Sequence, residues 1–195
     1  MSVSRWAHRA TIVPHGYGII GGGHNSSSEL DSLRLYNSSS NTFMPISARM
    51  SMARYQHTAT YMPSINAILF AGGWSAINGS LNIYEVFDIS TLAFVRYGKM
   101  LSKREWYAAT LLTTRVVLFS GSNNGITNVT TCEIYDPPTD IFTLASNMPF
   151  ARRLHTATLM TSSGQVMVCG GQGTFSTLNS CEIYIPNLLH DLLYV

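Results

Sequence analysis

Apolar and polar residues alternate in short runs along this chain, and the runs recur in the same order. Arg152 to Gly171 reads RRLHTATLMTSSGQVMVCGG: an alternating segment, a turn, a second apolar segment and a glycine pair. RYQHTATYMPSINAILFAGG begins at Arg54, RWAHRATIVPHGYGIIGGG at Arg5 and REWYAATLLTTRVVLFSGS at Arg104. Period-two alternation belongs to half-buried strands, helical periodicity is weak throughout, and no segment carries convincing helix caps.

The third copy illustrates the expected elements. YAATLL alternates and predicts a first strand. RVVLFSG is a continuous apolar run and predicts a second strand, buried on both faces. TTCEIYD and IFTLA predict the third and fourth, with NNGITN as an exposed loop and DPPTD as a turn.

The copies align on shared anchors. Arg5/His8, Arg54/His57 and Arg152/His155 repeat Arg-x-x-His, and Arg104/Tyr107 replaces the histidine. Successive arginines (5, 54, 104, 152) are 49, 50 and 48 residues apart. A small-residue pair follows each anchor: Gly22-Gly23, Gly72-Gly73, Gly121-Ser122 and Gly170-Gly171. Tyr36, Phe87, Tyr135 and Tyr184 come next, and Phe43, Phe94 and Phe142 follow seven residues later in three copies. The fourth copy has Asp191 at that spacing. The repeats run approximately 5–49, 54–100, 104–149 and 152–195, the last incomplete or atypical, within a single domain of 1–195.

A four-stranded unit of about 50 residues cannot bury both its faces alone, and stacking such sheets face to face does so. Glycines are expected where neighbouring sheets crowd and φ turns positive. The aromatics of the third and fourth strands are expected to fill the wedge between twisted sheets.

The Arg-x-x-His-T-A-T segment, the apolar run into Gly-Gly, CEIYDP and the following aromatic resemble kelch repeats, from residue 5 to about 186. The resemblance implies an all-β, kelch-type β-propeller of four four-stranded antiparallel blades. Propellers of that family usually hold six or seven blades, so the four here either close by themselves or form part of a larger propeller, and we expect the latter. The family's tryptophan of strand four is phenylalanine in three copies, while Trp6, Trp74 and Trp106 stand elsewhere. The C-terminal NLLHDLLYV leaves open whether the last outer strand is supplied.

Composition narrows the function classes. Hydrophobic residues make up 46% and charged residues 11% of the 195, with a net charge of +2 and Lys99 and Lys103 the only lysines. The polar surface must rest on Ser, Thr and Asn, with little basic footprint for nucleic acid or anionic membrane. No apolar run reaches the length of a membrane span. The opening residues lack a signal-peptide pattern and already belong to the first repeat, so a leader would have to lie upstream. Asn25, Asn37, Asn78 and Asn128 begin N-x-S/T triplets, compatible with a secreted, glycosylated surface. The compartment stays open between cytoplasm and exterior.

Candidate chemistry has a structural reading at each position. His8, His57 and His155 could be metal ligands, but their recurrence favours a packing role, as does Tyr107. His15 and His24 flank the first glycine-rich stretch. With a tyrosine they could imitate the copper site of galactose-oxidase-like proteins, which the repeats also resemble; no position here matches those ligands. Glu85, Glu133 and Glu182 recur two residues before the third-strand aromatic, which favours a structural or surface role over acid-base work. Cys169 and Cys181 could face one another in a disulfide, but two buried thiols are expected because Ala71 and Tyr84 stand at the matching positions. Cys132 is expected in the core. No cofactor or metal is expected.

The loops between second and third strands vary while the strands repeat, which is how repeat scaffolds build binding sites. His24, Asn25, Trp74, Asn78, Asn123, Asn124, Gln172 and Phe175 are the candidate contact residues, Trp74 foremost. The resemblance implies a non-enzymatic scaffold that binds a protein, with a glycan as second candidate. The competing enzyme reading is a fragment of a secreted copper oxidase.

Overall fold

The computed structural model describes residues 3–186 and 192–194. The chain is all-β, and each repeat forms one four-stranded antiparallel sheet, a blade of a β-propeller fold. The chain divides into two compact units, Met1–Met100 and Leu101–Val195, with two blades in each.

In the first unit, blade one comprises β1 (Arg9–Val13), β2 (Tyr17–Gly21), β3 (Ser32–Asn37) and β4 (Thr42–Arg49). Blade two comprises β5 (Thr58–Met62), β6 (Ala67–Ala71), β9 (Ile83–Asp88) and β10 (Ala93–Lys99). A small hairpin, β7 (Trp74–Ser75) and β8 (Gly79–Ser80), is inserted after β6. In the second unit, blade three holds β11 (Ala108–Leu111), β12 (Val117–Asn123), β13 (Asn128–Asp136) and β14 (Ile141–Ala145). Blade four holds β15 (Thr156–Met160), β16 (Gln165–Cys169), β17 (Cys181–Tyr184) and β18 (Leu192–Tyr194).

The C-terminal segment thus supplies the last outer strand. Tyr184 pairs in register with Leu192, as Tyr135 does with Phe142 and Phe87 with Phe94. Leu192 therefore takes the register position of the missing phenylalanine, one residue beyond the Asp191 that the spacing indicated. Asp191 itself lies outside the described residues.

Within the first unit, blades one and two lie side by side along their first strands. The Arg9 guanidinium donates through Nε to the His57 carbonyl, and the Thr11 hydroxyl donates to the Ala59 carbonyl, both at 2.8 Å. Ile19, Leu33, Ile68, Phe70 and Phe87 are buried in one shared core. The second unit has its own core, with Leu118, Cys132, Val166, Val168 and Tyr184. Each such side chain contributes roughly 2 kcal/mol by leaving water. The expected aromatic fillers meet across β3/β4, β9/β10 and β13/β14, with ring centroids of Tyr36–Phe43, Phe87–Phe94 and Tyr135–Phe142 at 4.9, 5.2 and 4.8 Å.

Burial of the second strand on both faces holds in blades two and three: every residue of β6 is buried, as are Val117 to Ser122 in β12. It does not extend to blade four, where Met167 of β16 is exposed between buried Val166 and Val168.

The glycine pairs meet the backbone they were expected to serve in three blades. Gly22 and Gly23 have φ of 61° and 97°, and the pairs at 72–73 and 170–171 repeat those values closely. Blade three departs. Gly121 turns left-handed at φ 58°, but Ser122 does not follow. A serine resists a φ near 90°, so β12 runs on through a register shift to Asn123, which pairs with Asn128. Both ends of the expected NNGITN loop are thereby drawn into strands.

One repeated backbone feature has no glycine to announce it. Ala7, Gln56, Trp106 and Leu154, each between the anchor arginine and the His or Tyr, have φ of 49°, 58°, 58° and 56°. A left-handed non-glycine residue costs on the order of 1 kcal/mol or more. The compensation is a backbone link between neighbouring blades: Gln56 N–H donates to the Ala7 carbonyl at 3.2 Å, and Leu154 N–H to the Trp106 carbonyl at 2.8 Å.

The glutamates that recur before the third-strand aromatic pair with the anchor arginines. Arg54–Glu85, Arg104–Glu133 and Arg152–Glu182 are buried ion pairs. Their carboxylates also hold the chain entering each blade: Ser51 N–H donates to Glu85 at 2.7 Å and Leu101 N–H to Glu133 at 2.9 Å. Their role is structural, and they lie inside the protein rather than on its surface.

The cysteines correct one expectation. Cys169 and Cys181 are joined in a disulfide, because the β16–β17 register sets them directly opposite one another. Cys132 is free and buried as expected, and burial pushes its thiol up to about 11.

Candidate functional site

The anchor histidines are packing residues by their surroundings. His57 is fully buried, and its ring faces Phe70 at a centroid distance of 6.0 Å. Tyr107 faces Phe119 in the same way at 5.9 Å, so the substitution in blade three preserves the contact. Burial, reinforced by the Arg54 charge, holds the His57 pKa well below its ordinary value. His155 is lowered to about 4 by burial and by Arg152. Both rings are neutral at pH 7. His15 and His24 stand at opposite ends of β2, so a strand of roughly 15 Å separates them. Among the described residues no group of three or more His, Cys, Asp or Glu is placed to hold a metal ion.

The variable loops concentrate the remaining chemistry. In the first unit, His24 and Trp74 are brought together through two residues the sequence reading passed over. Ring centroids are 5.3 Å apart for Trp6–His24 and Trp6–Tyr55, 5.6 Å for His24–Tyr55 and 5.4 Å for Tyr55–Trp74. Backbone bridges Trp6–His24 and Tyr55–Trp74 fix the arrangement. The result is a row of four rings with Trp6 half exposed. Asn25 folds the adjacent loop, its side-chain oxygen accepting from the Ser27 and Ser28 N–H groups, both at 2.8 Å. Asn78 lies exposed at the tip of the β7–β8 hairpin.

In the second unit the polar candidates mostly serve loop structure. The Asn124 side-chain oxygen accepts from the Ile126 and Thr127 N–H groups at 3.0 Å. Asn123 accepts from Gly125 N–H at 2.8 Å and donates to Asn128 at 3.1 Å. Asn128 in turn donates to the carbonyls of Gln172 and Gly173, at 3.0 and 2.8 Å, tying the loop of blade three to that of blade four. The Gln172 side chain accepts from Arg153 at 2.9 Å.

What these loops present outward is apolar. Phe175 is 100% exposed, Ile126 92% and Ile77 89%. All three stand four residues after the second position of the small-residue pair (73, 122 and 171), so the repeat places them equivalently on blades two, three and four. Blade one carries Ser27 there. Phe175 was a sequence candidate; Ile77 and Ile126 were not. Their signal was available as a large aliphatic residue flanked by small and polar ones, in AIN and GIT.

No family model matches the chain, and no curated protein matches it.

Proposed function

We propose that the protein is a non-enzymatic binding scaffold of the kelch type that recognises a protein partner through its second-to-third-strand loops. The observation that carries this reading is the exposure of Ile77, Ile126 and Phe175 at one repeat position. A large apolar side chain held in water by a hydrogen-bonded loop gains nothing for its own fold, and becomes an anchor when a partner's pocket takes it up. The turns beneath Ile126 and Phe175 are braced by Asn124 and Asn128, so little ordering cost falls on binding there. A low charge content favours contact by shape and apolar burial over electrostatic steering.

The test is site-specific photocrosslinking. A benzophenone side chain at position 126 or 175 labels a common partner, whereas the same probe at Ile12, 84% exposed on β1, does not. Equal labelling at position 12, or different proteins at each loop, would mean general stickiness and end the reading. The ring row of Trp6, His24, Tyr55 and Trp74 favours a glycan as second reading, since aromatic faces beside amides suit a sugar. Oligosaccharide titration followed by tryptophan fluorescence, with Trp74→Ala as control, decides it.

A further inference from the structure

Asn25, Asn37, Asn78 and Asn128 all begin N-x-S/T triplets, but the fold uses their side chains in two different ways. Asn25 and Asn37 each precede a run of exposed serines, at 26–28 and 38–40. In both, the side-chain oxygen holds the turn. Asn25 accepts from the Ser27 and Ser28 N–H groups at 2.8 Å, and Asn37 from Ser39 at 2.9 Å and Ser40 at 3.4 Å. The amide nitrogen, on the other side of the planar group, donates no hydrogen bond among the described residues. Asn78 is exposed, and its nitrogen meets the Met52 sulfur at 3.4 Å, a weak acceptor. Asn128 is half-buried, as Asn25 and Asn37 are, but its nitrogen is engaged. Its hydrogens go to the carbonyls of Gln172 at 3.0 Å and Gly173 at 2.8 Å, while its oxygen accepts from Asn123 at 3.1 Å.

The Cys169–Cys181 disulfide bears on where the chain folds. Both cysteines are half-buried, within reach of small reductants. Blade two closes the same register pair with Ala71 and Tyr84, so the repeat does not require the bond. A disulfide of this kind persists where thiols are kept oxidised, in the secretory compartments and outside the cell. Oligosaccharide is attached to N-x-S/T asparagines along that same route.

We propose that Asn25, Asn37 and Asn78 carry N-linked oligosaccharides and that Asn128, with the same triplet, does not. In the transfer, the asparagine Nδ2 bonds to the anomeric carbon of a lipid-linked oligosaccharyl diphosphate. The bond from that carbon to the phosphate oxygen breaks, and the lipid diphosphate leaves with the electron pair. Nδ2 gives up one of its two hydrogens as a proton. At Asn25 and Asn37 the turns depend on the oxygen and survive the change. At Asn128 the loss removes one of the two donors that hold Gln172 and Gly173, and it sets a bulky sugar between the loops of blades three and four. Chains modified there lose the tie and fail to reach the folded pool. An oligosaccharide on Asn78 covers its neighbour Ile77, so contact with a protein partner falls on Ile126 and Phe175, whose loops carry none.

The experiment is peptide mass mapping of the full chain purified from its native cells, after treatment with the amidase that releases N-linked oligosaccharide and leaves aspartate at each modified position. Aspartate is expected at positions 25, 37 and 78, and asparagine at 128. Asparagine recovered at all four, or aspartate at 128 to the same extent as at the others, overturns the proposal. A second measurement directs the full chain into the secretory pathway of cultured eukaryotic cells behind an added leader. Ser27→Ala, Ser39→Ala and Ser80→Ala destroy their triplets while keeping each asparagine, and each is expected to remove one oligosaccharide from the secreted protein, seen as a step in gel mobility. Thr130→Ala is expected to remove none. A mobility step with Thr130→Ala, or none with the three serine variants, overturns the proposal as well.

Discussion

The His155 imidazole occupies the space that a side chain on Gly121 would need. A Cβ placed there would come within 2.8 Å of the ring's Cε1, and the ring's Nε2 lies 3.1 Å from the Ser120 hydroxyl. His57 meets Gly22 in the same way in the first unit, at 2.6 Å. The residue that starts one blade therefore closes against the small residue at the end of the second strand of the preceding one.

Gly121→Ala should be strongly destabilising, because it adds clashes with the Arg152 carbonyl and the His155 ring as well as strain at φ 58°. We expect a loss of about 2–4 kcal/mol, read from urea unfolding. In the double variant with His155→Ala only the ring's share of the clash is relieved, the Arg152 carbonyl remaining in the way, so the two losses should sum to somewhat more than the measured total. Strict additivity would show that the contact does not govern the junction.

Acid should weaken the fold in a window set by His155. The unfolded chain takes up its proton near 6.5, the folded one only near 4. Between those values unfolding binds a proton, so stability is complete above pH 6.5 and is lost as pH falls toward 4, by on the order of 3 kcal/mol. His57 acts in the same direction. Glu182, pushed upward by burial against the pull of Arg152, takes up a proton more readily when folded and offsets part of the loss at the acid end. Unfolding free energies at pH 7, 6 and 5 should fall less steeply in His155→Gln; parallel curves would remove this histidine as the cause.

Breaking one buried ion pair should cost more than replacing it. Glu133→Ala leaves Arg104 charged and buried, and we expect a loss of about 3–5 kcal/mol in chemical denaturation. The joint replacement Arg104→Met with Glu133→Leu should recover part of that. The recovery is limited because Arg104 also ties down Gly121 and Thr131.

The cysteines separate by alkylation. Without reductant, Cys169 and Cys181 should resist labelling because they are bonded, and buried Cys132 should react only on unfolding. Reduction should lower stability by about 2–3 kcal/mol for a closed loop of this length. Prompt labelling of Cys169 in the native, unreduced protein would refute the bond.

The loop tips should be dispensable for folding. Ile77→Asp, Ile126→Asp and Phe175→Asp each remove an exposed side chain and should change stability by less than about 0.5 kcal/mol. A large loss of Tm in any of them would reassign that residue to the fold.

Much of the architecture was readable because it is local and repeated. Alternation in TATYM and TATLM marks strands, and the Gly-Gly pairs mark a backbone that L side chains resist. The Arg–Glu pairs were less evident, since the partners lie some 30 residues apart, as with Arg152 and Glu182. Their nearly constant separation in three copies was the available sign. Gln56 and Leu154 gave no sign, for nothing in their chemistry favours a left-handed turn; the link between blades imposes it. The disulfide was discounted because blade two has Ala71 and Tyr84 in place of the cysteines. Those two residues are register partners, so the comparison located the contact correctly and only the covalent bond was missed. Among the sites, Trp74 and Phe175 stood out by size, whereas Ile77 and Ile126 look like strand residues until the loops around them are seen.

The fit of His57 against Gly22, and of His155 against Gly121, bears on how such a chain can grow. A repeat with a histidine near its beginning and a glycine at the end of its second strand carries both the key and the lock. Duplicating or deleting a whole copy leaves each new junction already matched, whereas a shift of a few residues within one copy spoils two junctions at once. Changes of length are therefore tolerated in steps of one full repeat.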